Sequence, residues 1–358
     1  MIALAPGSTI GILGGGQLGR MLSVAAAQLG FDVCIFTDEE DSPASRVSAQ
    51  TIVADFHDLD ALRRFASIAD VITTEFENVP ADTAQALVDA GALVHPNPRA
   101  FAIAQDRVLE KRFFNENGVA TAPFAEVNSR ADLEAGLKQI GAPAILKTRR
   151  LGYDGKGQAR IMALADADTA FAALNGQPAI LEGFCAFDAE ASIIAARGAD
   201  GGFAAYDLCR NEHANGILSR TTVPSGFDAK LETEARAEAR RLMEALAYVG
   251  VLTIEFFVMR DGRLIANEMA PRVHNSGHWS IEAAETSQFE QHIRAIAGWP
   301  LGSTALLCPA EMLNLIGDDA ARWAEFAADP HARVHLYGKR EARPGRKMGH
   351  VTRLKPRA

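Results

Sequence analysis

The chain has 358 residues, 48% of them hydrophobic and 23% charged, with a formal net charge of −9. That length implies two or three domains, and that composition a globular protein with ample core, not a disordered or collagen-like chain. The acidic balance argues against a general binder of nucleic acid or of anionic membranes. No apolar run is long enough to span a bilayer, and no basic-then-apolar leader opens the sequence. Cys34, Cys185, Cys209 and Cys308 are scattered without C-x-x-C or metal spacing, the pattern of reduced thiols in a cytoplasmic protein.

Thr9 to Leu13 reads as a strand, Gly14 to Gly19 as a glycine turn, Arg20 to Leu29 as a helix and Phe31 to Phe36 as the next strand, with Asp38 just beyond it. This βαβ unit carries Gly14-x-Gly16-x-x-Gly19 and an acid about 20 positions on, the context of a dinucleotide fingerprint. Three readings stand: a nicotinamide or flavin site, a helix N-terminus holding a mononucleotide's phosphate, or glycines that only let helix and strand pack closely. The α/β pattern continues with a strand over 51–54, a helix over 59–66 and a strand over 70–74. Glu75 and Glu77 follow at the carboxyl end of that strand, where ligands of open α/β sheets bind. Pro96 and Pro98 then mark a break.

A single helix is expected over 100–117, carrying Asp106 and Arg107 and closing on Gly118. A small α/β unit follows: a strand at 124–127, a helix near 131–140, a hairpin over 144–162, a helix near 165–174 and a strand at 179–182. The hairpin tip is Gly152, Tyr153, Asp154, Gly155, Lys156, Gly157 and Gln158. Its glycines permit close approach of backbone to a ligand, its N–H groups can cradle phosphate oxygens, and Lys147 and Lys156 add charge. It is not a Walker A loop. Glu182 and Glu190 lie beside apolar strands, where a carboxylate is costly unless partnered, which points to ligand contact.

Strands near Phe203 and Ile217 flank His213, and a long helix is expected over 228–246. Strands over 251–258 and 264–269 are joined through Arg260 to Arg263, with Asp261-Gly262 as a two-residue type I′ turn. In that register Arg260 faces Arg263, and counting back puts Glu255 opposite Glu268, with Cβ atoms about 5 Å apart. Like charges so placed are destabilising; a divalent cation removes the conflict, and Mg²⁺ suits hard oxygen ligands combined with substrate phosphates. Pro271 to His278 is dense in hydrogen-bonding groups. Tyr337 to His350 concentrates Lys339, Arg340, Arg343, Arg346 and Lys347, which in an acidic chain suggests an anionic substrate.

Taken together, Gly14 to Arg20, the hairpin Arg149 to Gln158, the segment Asn267 to His278 and the ending Arg343 to His350 resemble the 5-(carboxyamino)imidazole ribonucleotide synthases, ATP-grasp enzymes of purine biosynthesis. The resemblance spans essentially the whole chain. It implies an α/β protein: a Rossmann-like parallel-sheet domain over 1–99, an α+β ATP-grasp small domain over 100–184, and a C-terminal domain over 185–358. The implied reaction joins bicarbonate to 5-aminoimidazole ribonucleotide through carboxyphosphate, consuming ATP with Mg²⁺. Around ATP the resemblance places Arg107, Lys147, Gly152, Tyr153, Asp154, Gly155, Lys156, Gly157, Gln158, Glu182, Gly183, Phe184, Cys185, Glu190, His213, Asn267 and Glu268. Glu255 and Glu268 would hold the metal. Gln17, Leu18, Glu77, Arg272, His274, Asn275, Lys339, Arg346 and Lys347 would line the ribonucleotide site, with Asp154, Arg272 and Lys347 as catalytic groups. A homodimer acting on small molecules, without nucleic acid or membrane, is the family pattern. Another ATP-grasp ligase, such as the formate-dependent glycinamide ribonucleotide transformylase, is the near alternative. One departure is visible: where several relatives place a metal-binding asparagine two residues past the second glutamate, this chain has Ala270. Asn267 precedes Glu268 and in a regular strand would face away from it.

Overall fold

The computed structural model describes residues 3–150 and 157–355, so five of the hairpin-tip residues expected at ATP (Gly152, Tyr153, Asp154, Gly155 and Lys156) lie outside the described residues. The first unit runs β1 (Thr9–Leu13), α1 (Gln17–Gln28), β2 (Asp32–Thr37), β3 (Gln50–Val53), α2 (Leu59–Ile68), β4 (Val71–Thr74) and α3 (Ala81–Asp89). Its four strands are parallel in the order β3-β2-β1-β4. The central β1 is apolar because helices cover both its faces; Ile10 and Ile12 are fully buried. Helix α1 starts at Gln17, so Gly19 falls within its first turn, earlier than expected.

The single helix expected over 100–117 is two: α4 (Pro98–Ala104) and α5 (Arg107–Glu116). Asp106 separates them. Its backbone is extended and its carboxylate accepts from the N–H groups of Val108 and Leu109, an N-cap that starts a new helix. The small unit comprises β5 (Phe124–Val127), α6 (Arg130–Ile140), β6 (Ala144–Thr148), β7 (Gln158–Ile161), α7 (Ala167–Ala173) and β8 (Ala179–Gly183). Its antiparallel sheet has the order β5-β8-β6-β7 and shares a core of Val127, Leu133, Leu137, Leu146 and Leu181 with α6 and α7.

The remainder is β9 (Phe187–Arg197), β10 (Phe203–Ala205), β11 (Cys209–Ala214), β12 (Ile217–Val223), α8 (Ala229–Ala245), β13 (Gly250–Met259), β14 (Leu264–Ala270), α9 (Ser280–Ala283), α10 (Gln288–Ile296), β15 (Ala310–Ile316), α11 (Trp323–Ala327), β16 (Ala332–Leu336) and β17 (Lys347–Leu354). These strands form one nine-stranded antiparallel sheet, β14-β13-β9-β11-β12-β15-β17-β16, with β10 paired to β9. Helix α8 packs one face through Leu242 and Met243. On the other face α1 and α10 share a core with Ile194, Val251 and Met312, which joins the first unit to the sheet. Buried His292 of α10 fixes that junction. Its Nδ1 accepts from Val251 N–H at 3.0 Å, so its Nε2 is the protonated nitrogen that meets Thr73 Oγ1 at 2.8 Å. No helix among the described residues is long and apolar enough to cross a membrane.

The β13–β14 hairpin departs from the expected turn. Met259 N–H donates to Arg263 O and Gly262 N–H to Met259 O, both at 2.9 Å, so Val258 pairs with Leu264 and Arg260 does not face Arg263. The register is thus one residue out at the turn. It is restored by a bulge: Phe256 pairs with Ala266, yet the next pair is Glu255 with Glu268, leaving Asn267 as the extra residue.

Candidate active site

Glu255 and Glu268 come together from the two strands of this hairpin. Burial, and then the neighbouring Glu268 carboxylate, push Glu255 up to about 7. His274 Nε2 lies 3.5 Å from Glu255 Oε1, and Arg107 Nη1 lies 3.3 Å from Glu268 Oε2. Two opposed carboxylates, one of them raised by burial and by the other's charge, offer hard oxygen donors that fit Mg²⁺. Among the described residues no three His, Cys, Asp or Glu side chains converge to hold a metal alone. That suits a cation whose remaining ligands are phosphate oxygens and water. The bulge also overturns the expectation for Asn267: alternation is broken at this residue, so strand period no longer sends it away from Glu268, and both are partly exposed.

Next to the pair lies a set of cations. Lys147 of β6 and Glu182 of β8 form a 2.9 Å ion pair, and Lys111 of α5 stands 3.9 Å from the same carboxylate oxygen. Burial pushes Glu182 up, but Lys111 and Lys147 outweigh it and hold the carboxyl down at about 2. Its other oxygen, Oε1, is buried with no hydrogen-bond donor, an acceptor left unsatisfied. Beyond Glu182 come Gly183, the exposed Phe184 and the half-buried Cys185, and nearby Phe187 stacks on Phe257 with ring centroids 4.4 Å apart. Glu190 of β9 meets His213 Nδ1 of β11 at 2.8 Å. Burial lowers the imidazole pKa, yet the Glu190 hydrogen bond and the Glu255 charge raise it above its usual value. Gly157 and Gln158 open β7; Gly157 has φ +68°, and its carbonyl accepts from Thr148 N–H at 2.7 Å.

On the other side of the carboxylates, a cleft of about 480 Å³ lies at the carboxyl ends of β1, β2 and β4, lined by Gly14 to Gln17, Asp38, Glu75, Lys339 and Arg346. Here the glycine fingerprint receives its explanation. The buried Glu75 carboxylate accepts Gly16 N–H at 2.6 Å and Gly19 N–H at 2.9 Å, so the protein's own anion occupies the start of α1 where a pyrophosphate sits in dinucleotide folds. A Cβ on Gly16 would lie 2.4 Å from Glu75 Oε1, and one on Gly15 2.4 Å from Ser42 Oγ. The glycines answer to these side chains. Leu18 points into the core and is 7% exposed, leaving Gln17 as the side chain of this turn that faces the cleft.

Arg272 pairs with Glu77 and also donates to Val273 O at 3.0 Å. His274 is held by Ser276 Oγ at 2.9 Å, and burial and the Arg272 charge keep its pKa well below the usual value. Asn275 is committed elsewhere: its amide and that of Asn314 exchange hydrogen bonds of 2.9 and 2.6 Å. Lys339 Nζ donates to Lys347 O at 2.8 Å, while burial and the Arg346 charge lower its pKa to about 8. Sequence reasoning placed Glu75 at a ligand and passed over Lys111 and Glu110 altogether. The signal for the latter two was the i, i+3 and i, i+4 spacing from Arg107, which puts all three on one face of α5.

The match to known proteins covers the chain. The ATP-grasp domain model matches residues 112–289, the ribonucleotide synthetase preATP-grasp domain 7–105, and the phosphoribosylaminoimidazole carboxylase C-terminal domain 310–358. The chain is 53% identical to the N5-carboxyaminoimidazole ribonucleotide synthase of Brucella melitensis over 99% of its own length and 98% of the relative's. It is 41% identical to that of Bacillus subtilis over 98% and 92%. Among solved structures it is similar to an ADP complex of an N5-carboxyaminoimidazole ribonucleotide synthetase, with TM-score 0.95, 39% identity, and 99% and 94% of the two chains covered. It is also similar to the Aspergillus clavatus N5-carboxyaminoimidazole synthase in complex with ADP and 5-aminoimidazole ribonucleotide, with TM-score 0.91, 30% identity, and 98% and 94% covered. A parallel-sheet unit followed by two ATP-grasp units, a carboxylate pair beside a row of cations, and identity sustained from end to end lead to one assignment: the chain belongs to the N5-carboxyaminoimidazole ribonucleotide synthase family of ATP-grasp enzymes.

Proposed function

We propose that the protein is a ligase that joins bicarbonate to the exocyclic amine of 5-aminoimidazole ribonucleotide in purine biosynthesis, converting ATP to ADP and phosphate. The observation that carries this reading is the opposed pair Glu255–Glu268, with Arg107 and Lys147 on its nucleotide side and Arg272 and His274 on the other. A bicarbonate oxygen attacks the γ-phosphorus and ADP leaves. The carboxyl carbon of the resulting carboxyphosphate, or the CO₂ it releases, is then captured by the amine, which loses a proton as phosphate departs.

Arg107 and Lys147 meet the phosphoryl oxygens and offset the charge that develops on them. Glu182 Oε1, buried and without a donor, accepts one such as the adenine amino group once the nucleotide is in place. Glu255 and Glu268 would hold Mg²⁺, which would supply charge stabilisation to the transferring phosphoryl group. Arg272, fixed by Glu77, presents its guanidinium to the carboxyphosphate, and His274 stays neutral beside it. Gln17, Lys339 and Arg346 receive the ribonucleotide phosphate in the cleft. Lys347 and Asp154 orient the intermediate and handle the proton. The same reading includes a homodimer in the cytoplasm, for which sedimentation velocity is the check on assembly.

The test is ADP release by the purified protein, with bicarbonate and 5-aminoimidazole ribonucleotide each supplied or omitted. Release that requires both is expected; none above background overturns the assignment. Saturable NAD binding would revive the dinucleotide reading that Glu75 argues against.

A further inference from the structure

Helix α5 reaches the outer edge of β14 with four contacts along residues 266–269, three of them to backbone. Lys111, only 1% exposed, donates its ammonium to Ala266 O at 3.3 Å and to Asn267 O at 2.5 Å. Glu110, equally buried, accepts Met269 N–H at 2.7 Å. Arg107 reaches Glu268 itself at 3.3 Å. In a regular strand successive carbonyls point to opposite edges, so one ammonium cannot reach two neighbours in sequence. It can here because the bulge at Asn267 brings that residue's carbonyl to the same edge as its neighbour's, where Lys111 meets both. β14 is the last strand of its sheet; on its outer edge Thr121 makes an isolated parallel bridge with Ala266, whose N–H donates to Ala120 O at 2.8 Å, and Asn267 O is met by Lys111. Two buried carbonyl dipoles aimed at one point are costly without a donor, and a buried ammonium is costly without acceptors. Each answers the other's need.

From this we infer that Lys111 is a positioning residue for the carboxylate pair: by clamping the bulge, with Glu110 on the following N–H, it holds the register that sets Glu268 opposite Glu255. The inference rests on the reading of that pair as the cation site. Lys111 touches neither the carboxylates nor a substrate through this role; it acts through the backbone of residues 266 and 267. Its second neighbour, Glu182 at 3.9 Å, ties the same helix to the nucleotide side.

The test is Mn²⁺ titration of the ADP-saturated protein followed by electron paramagnetic resonance, for wild type, Lys111→Met, Lys111→Gln and Glu268→Gln. Loss of an outer ligand-orienting group typically weakens a metal about 10–100-fold, so Lys111→Met should weaken Mn²⁺ about tenfold or more. Lys111→Gln, whose amide still donates, should fall between it and wild type. The apparent KM for Mg²⁺ should rise in the same order. If Lys111→Met folds, melts lower and yet binds Mn²⁺ like wild type while Glu268→Gln does not, Lys111 is structural only and the inference fails. If Glu268→Gln also binds Mn²⁺ normally, the cation-site reading itself fails. Should Lys111→Met not fold, Lys111→Gln decides by the same comparison; if neither folds even with ADP present, the residue belongs to the fold and the inference is overturned.

Discussion

Glu255 and Glu268 stand directly opposite each other because two one-residue irregularities cancel, an extra residue in the turn at Met259 to Arg263 and an extra residue at Asn267. The pairing confines two negative charges in a half-buried place. Glu255→Gln and Glu268→Gln should therefore leave the fold intact while lowering turnover about 10²–10³-fold, the scale of losing one charge-stabilising group. The sign of the pH effect follows from the raised pKa. Below about 4.5 the Glu255 carboxyl is protonated in both states; as pH rises to about 7 the unfolded chain ionises first, so stability falls across that window. Without Mg²⁺, Glu255→Gln should melt above wild type at pH 8 and close to it at pH 4.5. Thermal scans at the two pH values check this.

His292 gives the opposite slope. Burial holds its pKa at about 3 against 6.5 in the unfolded chain. Its contribution is fully present above pH 6.5 and is lost as pH falls toward 3, because the unfolded chain takes the proton that the folded one refuses. His292→Gln keeps one polar group toward Thr73 but cannot titrate. We expect it to be less stable than wild type at pH 7, with an acid slope shallower by up to one proton, read from denaturant unfolding at pH 4.5, 5.5 and 6.5.

Gly16 and Glu75 form a matched pair. Gly16→Ala puts a methyl against the Glu75 carboxylate and should cost about 1–3 kcal/mol, the usual range for overpacking. Glu75→Ala alone removes the acceptor of two helix N–H groups and should also destabilise. The double variant should be less damaged than the sum, by about 0.5–3 kcal/mol, since without the Glu75 carboxylate the added methyl meets no clash. Strict additivity in urea unfolding would show that the contact is not the reason for the glycine.

Asp106 serves two masters. It caps α5, and it accepts Arg149 Nε through both oxygens at 2.6 and 2.7 Å. Asp106→Asn keeps the cap and loses the charge, which should cost about 1.5–3 kcal/mol, the range for a charged hydrogen bond. Asp106→Ala should cost about 1 kcal/mol more, for the cap. Equal melting temperatures for the two variants would refute this division.

Local pairings were legible in the sequence wherever one turn decides them. The glycines after β1 announced a βαβ unit, and the Asp261-Gly262 signal announced the hairpin that brings Glu255 to Glu268. The route between was not legible, because a bulge depends on what lies outside the strand, here Lys111, more than 150 positions away. Strand ends in α/β sheets face ligands, and that rule points Glu75 at one; its partner is the first turn of the protein's own helix. Helical periodicity runs straight through Asp106, whose capping role depends on an extended backbone that no periodicity signals. The order of the nine-stranded sheet was likewise invisible, for β12 and β15 share no local signal.

That last pairing limits how the chain can be divided. Arg220 to Val223 of β12 bond to Ala310 to Leu313 of β15, so the segment matched as a separate C-terminal family domain continues the sheet as its last three strands, β15-β17-β16. A chain cut at residue 309 would bare the backbone of β12 along this ladder, an open template for another chain's strand. Removing residues 310–358 would therefore make the protein an aggregator as well as strip Lys339 and Arg346 from the cleft, and a swap of that segment between relatives succeeds only if the β12–β15 register travels with it.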